Sequence, residues 1–332
     1  MYRVRTVTDI GECRELWQRL MPTELVSDLW EVRDCFHRHY NHPLHFIVAE
    51  ESGAVKGFLP LSWNEETGQY NYFPGETWEG KTWLEQNRII AGSEEILNTM
   101  LATLDGPYQL RYLRADDYWG GTHERVDEIG YLFVPESYQY DMNRYFETFS
   151  HKTAKRLRKE LTGWDSRALE WRYNQPEDFE ILCQMNISRF GNLSYFHDLR
   201  FLESFRSLMH LLRERDWLRI VTIVVDGEPA AVDLGSLYNG MLTMLAGGTG
   251  AGFPGIAKLI NVHHMTYACE HKLDSVDFLC GDFNWKTLFH LTPAPLYLIE
   301  GPAKAMPAER ISAARSTSKS AVWSAVPGVP NA

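Results

Sequence analysis

The chain has 332 residues, 44% hydrophobic and 13% aromatic with 11 Trp and 16 Tyr, which excludes a disordered chain and favours two domains of ordinary size. Its net charge of −11 sits in the first part: residues 1–150 hold 13 Lys and Arg against 25 Asp and Glu, and residues 151–332 hold 20 against 19. That imbalance argues against an extended nucleic-acid surface on the first half, and no run approaches the ~18 apolar residues of a membrane span.

In chain order, the opening MYRVRTVTDIGECRELW carries charges throughout and lacks an apolar signal core, so the expectation is a protein retained in the cytoplasm. Helical spacing predicts helices over 10–20 and 25–40. A strand, a turn at Ser52-Gly53 and a second strand follow between Phe46 and Trp63, and then a helix over 94–104. The second half opens with a basic helix that Ser150 can cap, HKTAKRLRK, holding five formal cations in nine residues. Leu169, Trp171 and Tyr173 alternate as a strand would. Pro176 starts a helix that stops at Gly191-Asn192, and 199–215 is a second helix.

Three antiparallel strands are then expected over 218–225, 230–238 and 241–246, joined by turns at Asp226-Gly227 and Asn239-Gly240. A glycine-rich turn, a helix over 256–271, a short strand over 275–280, a helix over 283–289 and a strand over 294–299 complete the pattern. The first half repeats part of this outline, so an internal duplication is expected. Residues 303–332, rich in Ala, Ser and Pro, read as a mobile tail. Cys13, Cys35, Cys183, Cys269 and Cys280 have no paired spacing, which suits free thiols and offers no metal site.

The stretch GTGAGFPGIAK, Gly248 to Lys258, carries a glycine fingerprint at Gly250, Gly252 and Gly255. A Walker A loop fails, because Ile256 and Ala257 stand where Lys and Ser or Thr are required. A dinucleotide fold would use Asp277 for the ribose, but its fingerprint belongs to a parallel βαβ unit, and antiparallel hairpins precede this one. What fits is a meander whose last strand runs into a turn and a helix N-terminus, where backbone N–H groups and the helix dipole can face a pyrophosphate. A tight loop without a ligand is the plain alternative.

This order of elements resembles the GNAT acyltransferase fold. The second half is similar to its FemAB-like, cellulose-biosynthesis-type members through SHKTAKRLRKEL at 150–161, LSYFHD at 193–198, DGEPAAVDLGSLYNGMLTMLAGG at 226–248, FPGIAKLI at 253–260 and VDFLCGDFNWK at 276–286. The resemblance implies an α/β (α+β) fold with a mixed, mostly antiparallel sheet flanked by helices in two tandem halves. Residues 1–144 would form a degenerate half on the acceptor side and 145–302 the half that binds acyl-CoA. Its counterpart of the glycine turn in the first half, YFPGETWEG at 72–80, is bulky and acidic, so no second coenzyme is expected there.

The implied reaction moves an acyl group from acyl-CoA, a co-substrate and not a tightly bound cofactor, to an amine or hydroxyl. The acceptor would be a small molecule, glycan or peptide. Gly247, Gly248, Gly250, Gly252, Gly255 and Lys258 would hold the coenzyme, and the end of the third meander strand would supply N–H groups for the oxyanion. Asp233 is the first candidate base and Asp282 the second, although a lone strand Asp is more often a buried hydrogen-bonding acid. The family's usual Tyr acid is missing from GDFNWKTLF, and Tyr238 is its candidate substitute. Lys152, Arg156, Ser194, His197 and Lys286 are candidate substrate ligands. His263 and His264 point to different helix faces and cannot pair on a metal. Two other readings stay open: aminoacyl transfer from charged tRNA, the one nucleic acid expected as a partner, and a binding protein that lost catalysis. The sequence sets no oligomeric state.

Overall fold

A computed structural model describes residues 2–78, 80–114, 125–281 and 284–302. The tail expected over 303–332 and the candidate Asp282 lie outside the described residues. The strands are β1 (Arg3–Val7), β2 (Leu44–Glu51), β3 (Ala54–Asn64), β4 (Gln69–Tyr72), β5 (Ile90–Ala91), β6 (Tyr108–Leu113), β7 (Arg125–Phe133), β8 (Leu169–Tyr173), β9 (Leu218–Val225), β10 (Glu228–Tyr238), β11 (Met241–Thr249), β12 (Ser275–Asp277) and β13 (Thr292–Gly301). The helices are α1 (Ile10–Leu20), α2 (Trp30–Tyr40), α3 (Glu94–Leu101), α4 (Met142–Glu147), α5 (His151–Thr162), α6 (Asp178–Phe190), α7 (Leu199–Glu214), α8 (Ile256–Glu270) and α9 (Asn284–Leu288).

All of these strands join one sheet in the order β1-β2-β3-β4-β6-β13-β7-β12-β11-β10-β9-β8, with β5 beside β3. The order is a palindrome. Exchanging β1 with β8, β2 with β9, β3 with β10, β4 with β11, β6 with β12 and β7 with β13 returns the same order reversed. Each half is a strand, two helices, an antiparallel meander, a helix, a strand parallel to the last meander strand, and a final strand. The parallel pairs are β4 with β6 and β11 with β12. This repeat is the internal duplication that the sequence predicts. The last strands are traded: β7 pairs with β12 of the second half, β13 pairs with β6 of the first, and the two meet at the centre. Neither half therefore completes its sheet alone.

The local signals explain the elements. Asp9, Ser93, Ser150 and Asp198 accept hydrogen bonds from the first turns of α1, α3, α5 and α7, so four helices begin where a polar cap stands. The turns at Asp226-Gly227 and Asn239-Gly240 have positive φ at both central residues, which matches the twist of the flanking strands. The halves also meet through helices: α2 packs on α7, with Phe36 edge-on to Phe205 at 6.3 Å and Trp83 edge-on to Phe205 at 4.9 Å. Phe36 and Phe205 are fully buried, worth about 2–3 kcal/mol each in removed apolar surface.

Three elements depart from expectation. The third meander strand runs on to Thr249, taking Gly247 and Gly248 into the sheet opposite Asp233 and Val232. The strand expected over 275–280 stops at Asp277, because Leu279 has φ +55° and the chain turns. The helix expected from Leu25 starts at Trp30, after a 3-10 turn at Val26–Asp28.

Candidate active site

Beyond Thr249 the chain makes the glycine turn and enters α8 through Gly255, whose φ of +86° lies in the left-handed region that glycine tolerates best. With 15 residues, α8 has a full dipole whose positive end faces this turn. Within the turn Phe253 N–H donates to Gly250 O at 3.1 Å and Ile256 N–H to Phe253 O at 3.2 Å. A side chain at Gly252 would meet nothing within 4 Å, so the main chain there is open to a ligand. Cations from three elements ring the turn. Arg189, in the last turn of α6, donates to Thr249 Oγ1 at 3.1 Å; Lys258 pairs with Glu160 of α5 at 2.5 Å; Arg167, itself paired with Asp226, stands 5.6 Å from the Phe253 ring. Lys152 and Arg156 are exposed on α5, where Arg156 lies 3.9 Å from Glu160.

Gly247 and Gly248 serve the sheet instead. A side chain at Gly247 would run into the Asp233 carboxylate, and a Cβ at Gly248 would lie 3.1 Å from Leu182 O and 2.9 Å from Met185 Cβ of α6. Both therefore lie within β11, ahead of the turn itself, where close packing requires glycine.

A second feature lies on the other face. β11 and β12 pair only over 241–243 and 275–277, and the strands then part. The register on β10 jumps from Leu234↔Ala246 to Gly235↔Met244, so Leu245 is the extra residue of a β-bulge and has no residue opposite it on β10. Beside it lies a narrow cleft with an internal volume of about 30 Å³, walled by Leu25, Val32 and Trp83 of the first half and Leu208, Leu245 and Leu279 of the second. Of the described residues lining it, Glu85 alone is ionisable.

The 83–86 loop that carries Glu85 is fastened across the two halves. Cys280 N–H donates to Glu85 Oε2 at 2.8 Å, Gln86 donates to Asp277, and Arg114 Nη1 donates to Gln86 Oε1 at 3.3 Å. Burial pushes the Glu85 carboxyl up to about 8; the Cys280 donors oppose that rise and the Asp277 charge adds to it. Burial likewise raises Asp277 and lowers Lys286. No sequence motif marks Glu85. The nearest signal is the acidic 72–80 stretch, whose Glu76 accepts from Thr82 Oγ1 and from the N–H groups of Trp83 and Leu84, and so sets the loop.

The structure does not bring Asp233 and Tyr238, read as base and acid, together. Asp233 and Tyr238 lie five residues apart on β10, ~17 Å and on opposite faces. Asp233 Oδ2 contacts His264 Nε2 of α8 at 3.1 Å, while the Tyr238 hydroxyl donates to Thr23 O at 3.0 Å. Lys286 is buried and donates to the carbonyls of Phe278, Leu279 and Cys280 at 2.9, 2.8 and 2.7 Å. Through these three bonds the lysine clamps the turn. Ser194 is buried, donating to Asn186 Oδ1 at 2.7 Å and capping the turn at 195–197, while His197 is exposed. Asp277 accepts from Leu279 N–H at 2.8 Å and is no ribose ligand. His263 stacks on Trp171 at 4.2 Å, away from the buried His264. Among the described residues no cluster could hold a metal and no helix is long and apolar enough to cross a membrane.

Residues 150–287 match the family model of the acetyltransferase (GNAT) domain. No curated sequence matches the chain. Among solved structures, FemX is similar over 89% of this chain and 96% of its own, at 10% identity and a TM-score of 0.55. A conserved protein of unknown function from Bacteroides thetaiotaomicron is similar over 90% and 99%, at 11% identity and a TM-score of 0.55. At these identities the likeness is one of fold.

Proposed function

From the match of residues 150–287 to the acetyltransferase (GNAT) domain model, we propose that the protein transfers an acyl group from acyl-CoA to an amine or hydroxyl acceptor. The observation that carries the reading is the glycine turn at the N-terminus of α8 with Arg189, Lys258 and Arg167 around it, a site for a diphosphate. From there the pantetheine arm runs along β11 over the four residue steps from Thr249 to Leu245, ~13 Å, and brings the thioester to the bulge. The Leu245 N–H is the proposed oxyanion donor, and the thiolate leaves without a strong acid because it is a stable anion.

Acetyl-CoA is expected to raise the melting temperature, with a shift that grows with ligand concentration. A protein indifferent to every CoA ester would refute the donor assignment. A second reading, aminoacyl-tRNA as the donor, draws on the exposed Lys152, Lys155, Arg156, Arg158 and Lys159 of α5. A shift with charged tRNA and none with CoA esters would establish it in place of the first.

A further inference from the structure

We infer that Glu85, supplied by the first half, is the general base that takes the proton of the attacking group, and that the acceptor is an amine or hydroxyl borne on an apolar frame. The inference rests on the acyl-transfer reading and adds the base and the acceptor class to it.

The placement comes first. Glu85 lines the same cleft as Thr243, the bulged Leu245 and Leu279, so it faces the point where β11 and β12 part and where the thioester would arrive. Asp233, the acid read from the sequence, is bound to His264 on the opposite face of the sheet. Among the described residues lining the cleft there is no other group able to take a proton near neutral pH.

The support around Glu85 is that of a positioned group. Its loop is tied to the turn after β12 by the Cys280 N–H, and Lys286 fixes that turn through three carbonyls. Leu279 sits at φ +55° within it, a conformation a large side chain adopts only when its surroundings hold it. The charged and titratable groups facing Glu85 are Asp277, Cys280 and Lys286 of the second half, with Tyr112 of β6 and Tyr195 of the 195–197 turn. Burial dominates among these influences, and the resulting value of about 8 suits a base that works near neutrality.

The walls give the acceptor class. Leu25, Val26, Val32, Trp83, Leu208 and Leu245 make most of the wall; besides Glu85 its polar side chains are Ser27, Gln86 and Thr243, too few to pair all the hydroxyls of a sugar, and burying such groups unpaired is costly. In the step, the lone pair of the acceptor nitrogen or oxygen forms a bond to the thioester carbonyl carbon. Its proton passes to the Glu85 carboxylate, the C–S bond breaks, and its electron pair leaves on the CoA sulfur.

The test uses the full chain, acetyl-CoA, and paired acceptors such as hexylamine and glucosamine. Glu85→Gln is expected to keep the acetyl-CoA thermal shift and its KM while kcat falls about 100-fold or more, with Glu85→Asp recovering part of the loss. In the wild type kcat/KM should rise through a limb near pH 8 that Glu85→Gln lacks, and hexylamine should exceed glucosamine. A Glu85→Gln variant that binds acetyl-CoA and turns over as fast as the wild type would overturn the base, and glucosamine used as well as hexylamine would overturn the acceptor class. No shift in the wild type would remove the donor reading, and this inference with it.

Discussion

Asp233 and His264 close a 3.1 Å contact between the middle of β10 and the third turn of α8, and the imidazole is wholly buried. His264 Nδ1 has no partner among the described residues, so Asp233 provides the ring's one recorded polar contact. Asp233→Ala would leave both ring nitrogens unpaired in the interior, at a cost of about 1–3 kcal/mol. Asp233→Asn keeps a hydrogen-bonding side chain and should recover most of that. Urea unfolding of both variants should show this difference, with kcat of the folded enzyme unchanged in each. A collapse of kcat in a stable Asn variant would return Asp233 to the chemistry.

Neighbouring glycines should respond in opposite ways. At Gly252 an added side chain meets open space, so Gly252→Leu is expected to fold normally and to lose the acetyl-CoA thermal shift. At Gly248 an added Cβ would press on the backbone of Leu182 and on Met185, so even Gly248→Ala should cost roughly 1–3 kcal/mol. Thermal melts with and without acetyl-CoA separate the two effects. Unchanged affinity in Gly252→Leu would show that the turn cradles no diphosphate.

The contrast marks what the sequence can and cannot reveal. Hairpin turns, helix caps and alternating strands are local, so the second half is legible from α5 to β13 almost element by element. The strands β1, β4, β6 and β7 are not, because they are short or pair only with distant strands, and the trade of β7 and β13 has no local signature at all. The glycine turn is legible as a motif, but its cation Arg189 reaches it only because α6 crosses β11. Lys286 is visible as a residue, but nothing in NWKTL announces three carbonyls converging on one ammonium. Glu85 is invisible for the same reason: its environment is assembled from both halves.

Lys286 offers a direct test of that clamp. Lys286→Met keeps length and apolar bulk but leaves the carbonyls of Phe278, Leu279 and Cys280 without their donor. Stability should fall on the order of 2–4 kcal/mol, seen as a lower urea midpoint at unchanged slope. Acetyl-CoA affinity of the folded fraction should be unaltered. A selective loss of CoA binding with stability intact would mark the lysine as a phosphate ligand.

Glu85 makes a prediction about stability that runs against its prediction about rate. In the folded protein burial holds its carboxyl up at about 8, whereas in the unfolded chain it ionises at ~4.3. Between those values the folded state binds more protons than the unfolded one, so stability falls as pH rises through the window and levels off above it. Gln cannot ionise and escapes that loss. The melting temperature of Glu85→Gln should therefore match the wild type near pH 4, gain on it steadily to pH 8, and keep a constant lead beyond. A group retained only for structure would lose stability on replacement, whereas a base held ready for a proton costs the fold something to keep. Parallel melts across pH decide between these, and a variant less stable than wild type at pH 8 would mark Glu85 as a structural residue.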